Sequence, residues 1–452
     1  GKKVMTTLEK VAVIGAGPAG CYIVEQLTKT FEHCRIDVFD QSPFPYGLVR
    51  TGVAPDHVKM KNLANYFEKV LSKETVRFFG HVRVGEDISI DRLRQHYQVL
   101  FICTGASLDK PLPVPFNNPR LYSGSSLFVK WYNAHLRTQV QWQSFGSNVA
   151  LLGIGNVAID IARILLKKRE QLSATEIPIK VLDFIESSNI KDLHIFVRRG
   201  PAHMACTTHE LKELLALEHV AVHIDENDLK LSDADKAILA ESNQHKSKYD
   251  LLLKSQEKES SHVTKHLHIH FYHQIKAVSE SDSGLSLTME RTNVVQKGTS
   301  YKAVGRGEFV SYPASFLVSS FGYHGEAIPG LPFDEAKGLV PNDKGRVLLN
   351  GEPSGVYVNG WIKRGSQGVI GSNRSDAKET LASFLEDLDK QALVEANQSD
   401  FKDILDTKGS LYFSFEDWQR INAIELQRGK AEGKDRKKFK SVDALVDALQ
   451  KE

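Results

Sequence analysis

The chain has 452 residues, which at roughly 150 residues per domain makes about three domain-sized units or two large ones and excludes a single small binding module. Its 41% hydrophobic and 25% charged residues are ordinary globular proportions and exclude the disordered, collagenous and disulfide-dense classes. With 58 Lys and Arg against 56 Asp and Glu, the formal net charge of +2 gives no global attraction to nucleic acid or to an anionic membrane.

Gly1-Lys2-Lys3-Val4 precede Met5, as the remnant of a tag or of a trimmed organellar precursor would. No charged start followed by an apolar segment opens the chain, and no run reaches the roughly 18 apolar residues of a spanning helix, so a soluble, unsecreted protein is expected. Residues 11–14 predict a short buried strand. Gly15-Ala16-Gly17-Pro18-Ala19-Gly20 follows, and Cys21, Ile23, Val24 and Leu27 continue at helical spacing. In a strand, turn and helix of this kind, Gly15 permits the tight turn and Gly17 lets the backbone approach a pyrophosphate. Gly20 lets helix and strand pack closely, and the helix N-terminus offers free N–H groups to the phosphate. Residues 35–40 predict the second strand, ending in Asp40 about 20 residues after the turn, where a carboxylate accepts hydrogen bonds from a ribose diol. A dinucleotide site is expected here.

Asp56 has an alternative, purely structural reading as the N-cap of a helix carrying Leu63, Phe67 and Val70. Residues 99–105 read as a strand ending in glycine. Residues 147–152 predict another, followed by Gly153-Ile154-Gly155-Asn156-Val157-Ala158 and a helix marked by Ile159, Ala162, Leu165 and Leu166. The matching strand, 193–197, ends not in an acid but in Arg198-Arg199-Gly200-Pro201. Two guanidiniums there suit a ribose 2′-phosphate, which favours NADP over NAD. The interval from Gly153 to Arg198 exceeds the usual 20 or so residues, so an insertion near 167–190 is expected.

His266, His268 and His270 alternate with Leu267, Ile269 and Phe271, which puts three imidazoles on one strand face. This reads as a half-solvated strand rather than a metal site, because no Cys or carboxylate is placed to complete one. Residues 355–360 predict a closing strand. Arg428, Lys430, Lys434, Arg436, Lys437, Lys438 and Lys440 read as a charged, solvated connection to a short helix over 441–449, without the aromatic interleaving of a nucleic-acid module.

One acid-ended and one arginine-ended glycine turn in a single chain suggest a bound FAD and an exchangeable NADPH, flavin being the usual hydride partner of nicotinamide. With these in place, further segments resemble the adrenodoxin reductase type of NADPH:ferredoxin oxidoreductase. They are Pro45-Tyr46-Gly47-Leu48-Val49-Arg50, Gly52-Val53-Ala54-Pro55-Asp56-His57, residues 153–160 and 198–201, Gly360-Trp361-Ile362-Lys363-Arg364-Gly365 and Gly368-Val369-Ile370-Gly371. The chain departs from the family pattern at Thr51, where an aromatic is common, and at Val58, where proline is common.

The resemblance implies FAD contacts from Gly15, Ala19, Asp40, Leu48, Val82, Trp361 and the backbone of Gly368, Val369 and Ile370. It implies NADPH contacts from Asn156, Val157, Arg198, Arg199 and Glu210, beside the turn glycines Gly153 and Gly155. It also places His57 and Asp160 near the flavin as a water-linked relay, and the tail with Trp418 resembles bacterial members, which favours a bacterial cytoplasm over a mitochondrial matrix.

Four cysteines, at 21, 34, 103 and 206, are too dispersed for a redox pair or an iron-sulfur cluster. Electrons arriving on flavin must therefore leave to oxygen or to an external carrier. The expected activity is hydride transfer from NADPH to FAD and single-electron delivery to a ferredoxin-like iron-sulfur protein, docking on a local basic surface drawn from Lys212, Lys246 and Lys248. A flavin monooxygenase and a non-catalytic nucleotide sensor are the alternatives. No metal, nucleic-acid or membrane partner is expected. The expected architecture is α/β, with two Rossmann-like dinucleotide-binding domains: an FAD domain from residues 1–108 and 326–452, and an NADPH domain, 109–325, inserted into it.

Overall fold

Val11, Ala12 and Val13 have no exposed surface because the strand they form, Lys10–Ile14, lies inside a six-stranded sheet with neighbours on both edges and helices on its faces. The computed structural model describes residues 7–136, 138–259, 261–366, 372–391 and 393–451. These divide into two compact units, the first comprising residues 1–53, 57–108 and 323–452, the second residues 54–56 and 109–322.

In the first unit the sheet order is Arg346–Leu349, Glu352–Val358, Val99–Ile102, Lys10–Ile14, Arg35–Asp40 and Val76–Gly80. All neighbours are parallel except the first pair. Parallel pairing of Lys10–Ile14 with Arg35–Asp40 requires a crossover, which the helix Pro18–Thr30 supplies. That helix packs against Ser372–Lys390 and Leu63–Leu71. Phe39, Phe79, Leu93, Ile102 and Phe401 are in the core below the sheet.

The second unit repeats the plan. Its wholly parallel sheet runs Tyr122–Gly124, Phe316–Ser319, Asn148–Leu152, Asp192–Phe196, Lys265–His270, Val220–Ile224. The long interval after the second glycine turn is occupied by two additional helices, Arg169–Leu172 and Ile179–Ser188. The sequence reading gave no hint of a three-stranded antiparallel sheet, His273–Ser281, Gly284–Lys297 and Ser300–Ala314. Its inner residues Leu285, Leu287 and Met289 pack on Ala150, Leu152 and Leu317 of the parallel sheet.

Candidate functional site

In both units the glycine turn follows a central strand, and the second landmark, acid or arginine, follows the strand beside it. In the first unit Gly15 has φ +109, and a Cβ there would lie 2.1 Å from the Cys103 carbonyl oxygen, so the turn excludes any side chain. Gly17 caps the helix Pro18–Thr30 with no side-chain acceptor of its own, leaving first-turn N–H groups for an anion. A Cβ on Gly47 would approach the Gly17 Cα to 3.0 Å, so the segment containing Leu48 passes directly over the turn. Ala19 is buried, and its carbonyl accepts from Asn359 Nδ2 at 3.1 Å, while Gly360 touches its methyl side. Trp361, half-buried, opens the short helix Trp361–Arg364 with its ring 6.2 Å from that of Tyr323. Val82 is buried, its N–H donating to the Asp40 carbonyl at 2.9 Å. Gly368, Val369 and Ile370 lie outside the described residues.

Asp40 ends its strand with one carboxylate oxygen accepting from the Ala16 N–H and the other from the Ser42 N–H, each at 2.8 Å. Burial pushes its carboxyl up to about 6, against the pull of these two donors. The folded flavin-free protein therefore binds a proton that the unfolded chain releases between about pH 4 and 6. Stability from this group is full below that window and declines as pH rises through it, by up to about 3 kcal/mol. Urea unfolding of the apoprotein from pH 4 to 7 checks this: Asp40→Asn should flatten the decline.

The segment over the turn is held from the C-terminal tail. Arg50 makes a paired contact with Glu425, both oxygens at 2.8 Å, and Arg436 adds a third hydrogen bond at 2.7 Å. The Glu425 side chain has no exposed surface. Trp418 packs edge-on against Phe44 and Tyr46. Lys438 is also buried and donates to the Arg50 carbonyl at 2.9 Å. The expected solvated charge run is thus corrected at Lys434, Arg436 and Lys438. Lys434 and Lys438 are buried, and the Arg436 guanidinium is drawn in because the buried Glu425 needs cationic partners.

In the second unit Gly153, at φ +116, makes the turn, and its N–H donates to the Phe196 carbonyl at 3.0 Å. Gly155 caps the helix Asn156–Leu166 with open space where a Cβ would stand. Asn156 Oδ1 accepts from the Thr207 N–H at 2.8 Å, and Val157 is half-buried at the same helix start. The strand Asp192–Phe196 lies beside this turn, so Arg198 and Arg199 emerge next to it. Among the described residues neither guanidinium has a hydrogen-bonded or ion-paired partner; Arg198 only overlies the Phe321 ring, 5.8 Å from its centre. Burial and the neighbouring Arg198 charge push the Arg199 guanidinium below its usual range. Close by in sequence, the buried His203 has no hydrogen-bond partner for either ring nitrogen among the described residues. Two adjacent cations without a protein anion, beside a glycine turn and a bare helix N-terminus, fit a phosphorylated dinucleotide.

The sequence reading missed Arg163. It is fully buried on the largely apolar helix Asn156–Leu166, whose lone cation should have drawn attention. Its guanidinium donates to both Asp56 oxygens at 2.6 and 2.7 Å, lies 3.0 Å from Asp160 Oδ1 and donates to Glu210 Oε2 at 3.2 Å. Burial pulls Asp56 up, but Arg163 and Lys167 outweigh it and hold its carboxyl well below the usual range. Asp56 is therefore an ion-pair partner, and the alternative N-cap reading does not hold: His57 occupies the N-cap position of Val58–Lys61, and Asn62 that of Leu63–Leu71. Glu210, expected to touch NADPH, is engaged by Arg163.

Two further expectations change. Lys248 is buried in the helix Asn243–Glu257, donating to the Met204 and Cys206 carbonyls at 2.5 and 2.8 Å, so it offers no surface charge; Lys212 and Lys246 are exposed. The histidine strand does meet a carboxylate: Asp192, from the neighbouring strand, lies 2.8 Å from His268 Nε2. All four cysteines are buried and unbridged, and burial raises every one of their thiol pKa values. Among the described residues no helix is long and apolar enough to cross a membrane.

Comparison with known proteins agrees with this geometry. A family profile described as an NAD(P)-binding Rossmann-like domain matches residues 13–82. The mitochondrial NADPH:adrenodoxin oxidoreductase of Arabidopsis thaliana is 35% identical over 462 residues, covering 97% of this chain and 95% of that protein. NADPH-ferredoxin reductase FprA of Mycobacterium tuberculosis is 33% identical over 451 residues, covering 96% and 98%. The solved structure of M. tuberculosis FprA in complex with NADPH superposes with a TM-score of 0.90 over 98% of this chain and 99% of that one. With near full-length identity above 30% on both sides, the chain belongs to the family of NADPH:adrenodoxin oxidoreductases and NADPH-ferredoxin reductases.

Proposed function

We propose that the protein is an FAD-dependent NADPH:ferredoxin reductase, with FAD held by the first unit and NADPH by the second. The observation that carries the reading is the unpaired Arg198-Arg199 couple beside a second glycine turn, in a chain whose first turn ends in a carboxylate. When bound, nicotinamide supplies a hydride, and flavin divides its two electrons into single-electron steps. The protein binds and orients. The N-termini of Pro18–Thr30 and Asn156–Leu166 receive the two pyrophosphates, Asp40 the flavin-side ribose, and Arg198 and Arg199 the 2′-phosphate. Leu48, Val82 and Trp361 are assigned to the flavin, and Asn156 and Val157 to the nicotinamide nucleotide. His57 and Asp160 are assigned the proton relay, Asp160 being fixed by Arg163 at 3.0 Å.

Buried, high-pKa thiols give electrons no internal exit, which favours an external carrier. We assign that role to an acidic ferredoxin docking on a basic surface that includes Lys212 and Lys246, an association that salt should weaken. Either reducing compartment, bacterial cytoplasm or mitochondrial matrix, suits four free thiols, and we assign the protein to the bacterial cytoplasm on the likeness of its Trp418 tail to bacterial members.

Anaerobic stopped-flow absorbance tests the proposal. The purified yellow protein should bleach rapidly with NADPH and recover colour on adding oxidised ferredoxin. In a parallel aerated assay, oxygen use coupled to an organic substrate would indicate a monooxygenase instead, and absence of any turnover a sensor.

A further inference from the structure

The second unit carries a row of imidazoles that nucleotide binding does not use. Asp192–Phe196, Lys265–His270 and Val220–Ile224 are adjacent parallel strands, and their register sets His268 opposite His194 on one side and His223 on the other. The His194 and His268 rings are stacked 4.2 Å apart, and the His223 ring stands 4.8 Å from His268. Asp192 precedes His194 by two residues and shares its face. One donor atom from each of Asp192, His194 and His268 lies within 4.8 Å of the other two, and all three residues are half-buried. His268 Nε2 and Asp192 Oδ1 are already 2.8 Å apart.

The surroundings suit coordination. A contact of 2.9 Å between His194 Nδ1 and His270 Nε2 orients the His194 ring, the part played by outer partners at metal centres. Donor bonds of about 2.0–2.2 Å place tetrahedral ligands roughly 3.3–3.5 Å apart, so on binding the three donors draw in and the stacked His194 and His268 rings turn toward a common point. Two imidazoles and one carboxylate, with solvent in the remaining position, are a donor set for zinc and its first-row neighbours.

We propose that Asp192, His194 and His268 form a binding site for a divalent first-row transition ion, Zn2+ being the first case. His194, the ligand nearest Arg198 along the chain, precedes it by four residues, about 13 Å at about 3.3 Å per residue, so the ion would not compete with the 2′-phosphate.

Isothermal titration of the untagged holoprotein with Zn2+ at neutral pH, repeated with Co2+ and its visible absorption, tests the site. One ion per chain is expected. Affinity should fall by more than about 100-fold in His268→Gln and in Asp192→Asn, beyond what an outer partner carries, and stay unchanged in His209→Gln, an exposed histidine elsewhere. Absence of stoichiometric binding, or binding that survives both substitutions, would overturn the proposal. If His268→Gln does not fold, Asp192→Asn alone decides, because a half-exposed carboxylate can become an amide with little effect on packing.

Discussion

Replacing Arg198 and Arg199 together with alanine is expected to lower kcat/KM for NADPH by about 10²–10⁴ and to leave that for NADH within a few-fold. Each guanidinium-phosphate contact is a charge-assisted hydrogen bond worth about 1.5–3 kcal/mol, so two supply about 3–6 kcal/mol. NADH has no 2′-phosphate and has nothing to lose. The folded protein has little to lose either, since among the described residues neither guanidinium is paired, and burial and mutual repulsion oppose the Arg199 charge. Steady-state kinetics with both nucleotides, alongside a thermal melt of the variant, check the result. Equal losses for NADPH and NADH would remove the arginines from the nucleotide site.

Glu425→Gln is expected to destabilise the first unit by about 3–5 kcal/mol, because it leaves the buried Arg50 and the largely buried Arg436 guanidiniums without their shared anion. Burial pulls the Glu425 carboxyl up, but the two arginines outweigh it and hold it below the ordinary range. Its contribution is therefore present above the usual glutamate pKa and is lost on acidification below it, opposite in sign to that of Asp40. Arg50 lies in the segment that crosses the glycine turn, so the damage should reach the cofactor. The temperature at which flavin fluorescence is released should drop, and more flavin should be lost on gel filtration. An unchanged release temperature would mean that the tail does not brace the segment over the glycine turn.

Glycine turns and their neighbouring strand ends were legible because each depends on a local rule: a residue without Cβ, a short apolar run, one polar residue where the next strand stops. The strands expected at 11–14, 35–40 and 147–152 lie within one residue of those observed. Contacts between distant segments were not legible. Arg50 and Glu425 are 375 residues apart, and Arg163 and Asp56 107 apart, so composition presents each as an ordinary surface charge. Lys248 misled for the same reason: a lysine in a polar helix reads as solvated, and only the Met204 and Cys206 carbonyls that receive it show otherwise. The histidine strand was read along its own length, whereas the Asp192 carboxylate arrives from the strand beside it. Antiparallel strands from His273 to Ala314 alternate weakly, since the long third strand is exposed over most of its length.

A crystal structure with FAD and NADP+ both bound would test the assignment of the two glycine turns most directly. The FAD pyrophosphate should rest on the N-terminus of Pro18–Thr30, the NADP+ pyrophosphate on that of Asn156–Leu166, and the 2′-phosphate within hydrogen-bond reach of both Arg198 and Arg199. Exchanged positions for the two dinucleotides, or a 2′-phosphate held away from both arginines, would contradict it.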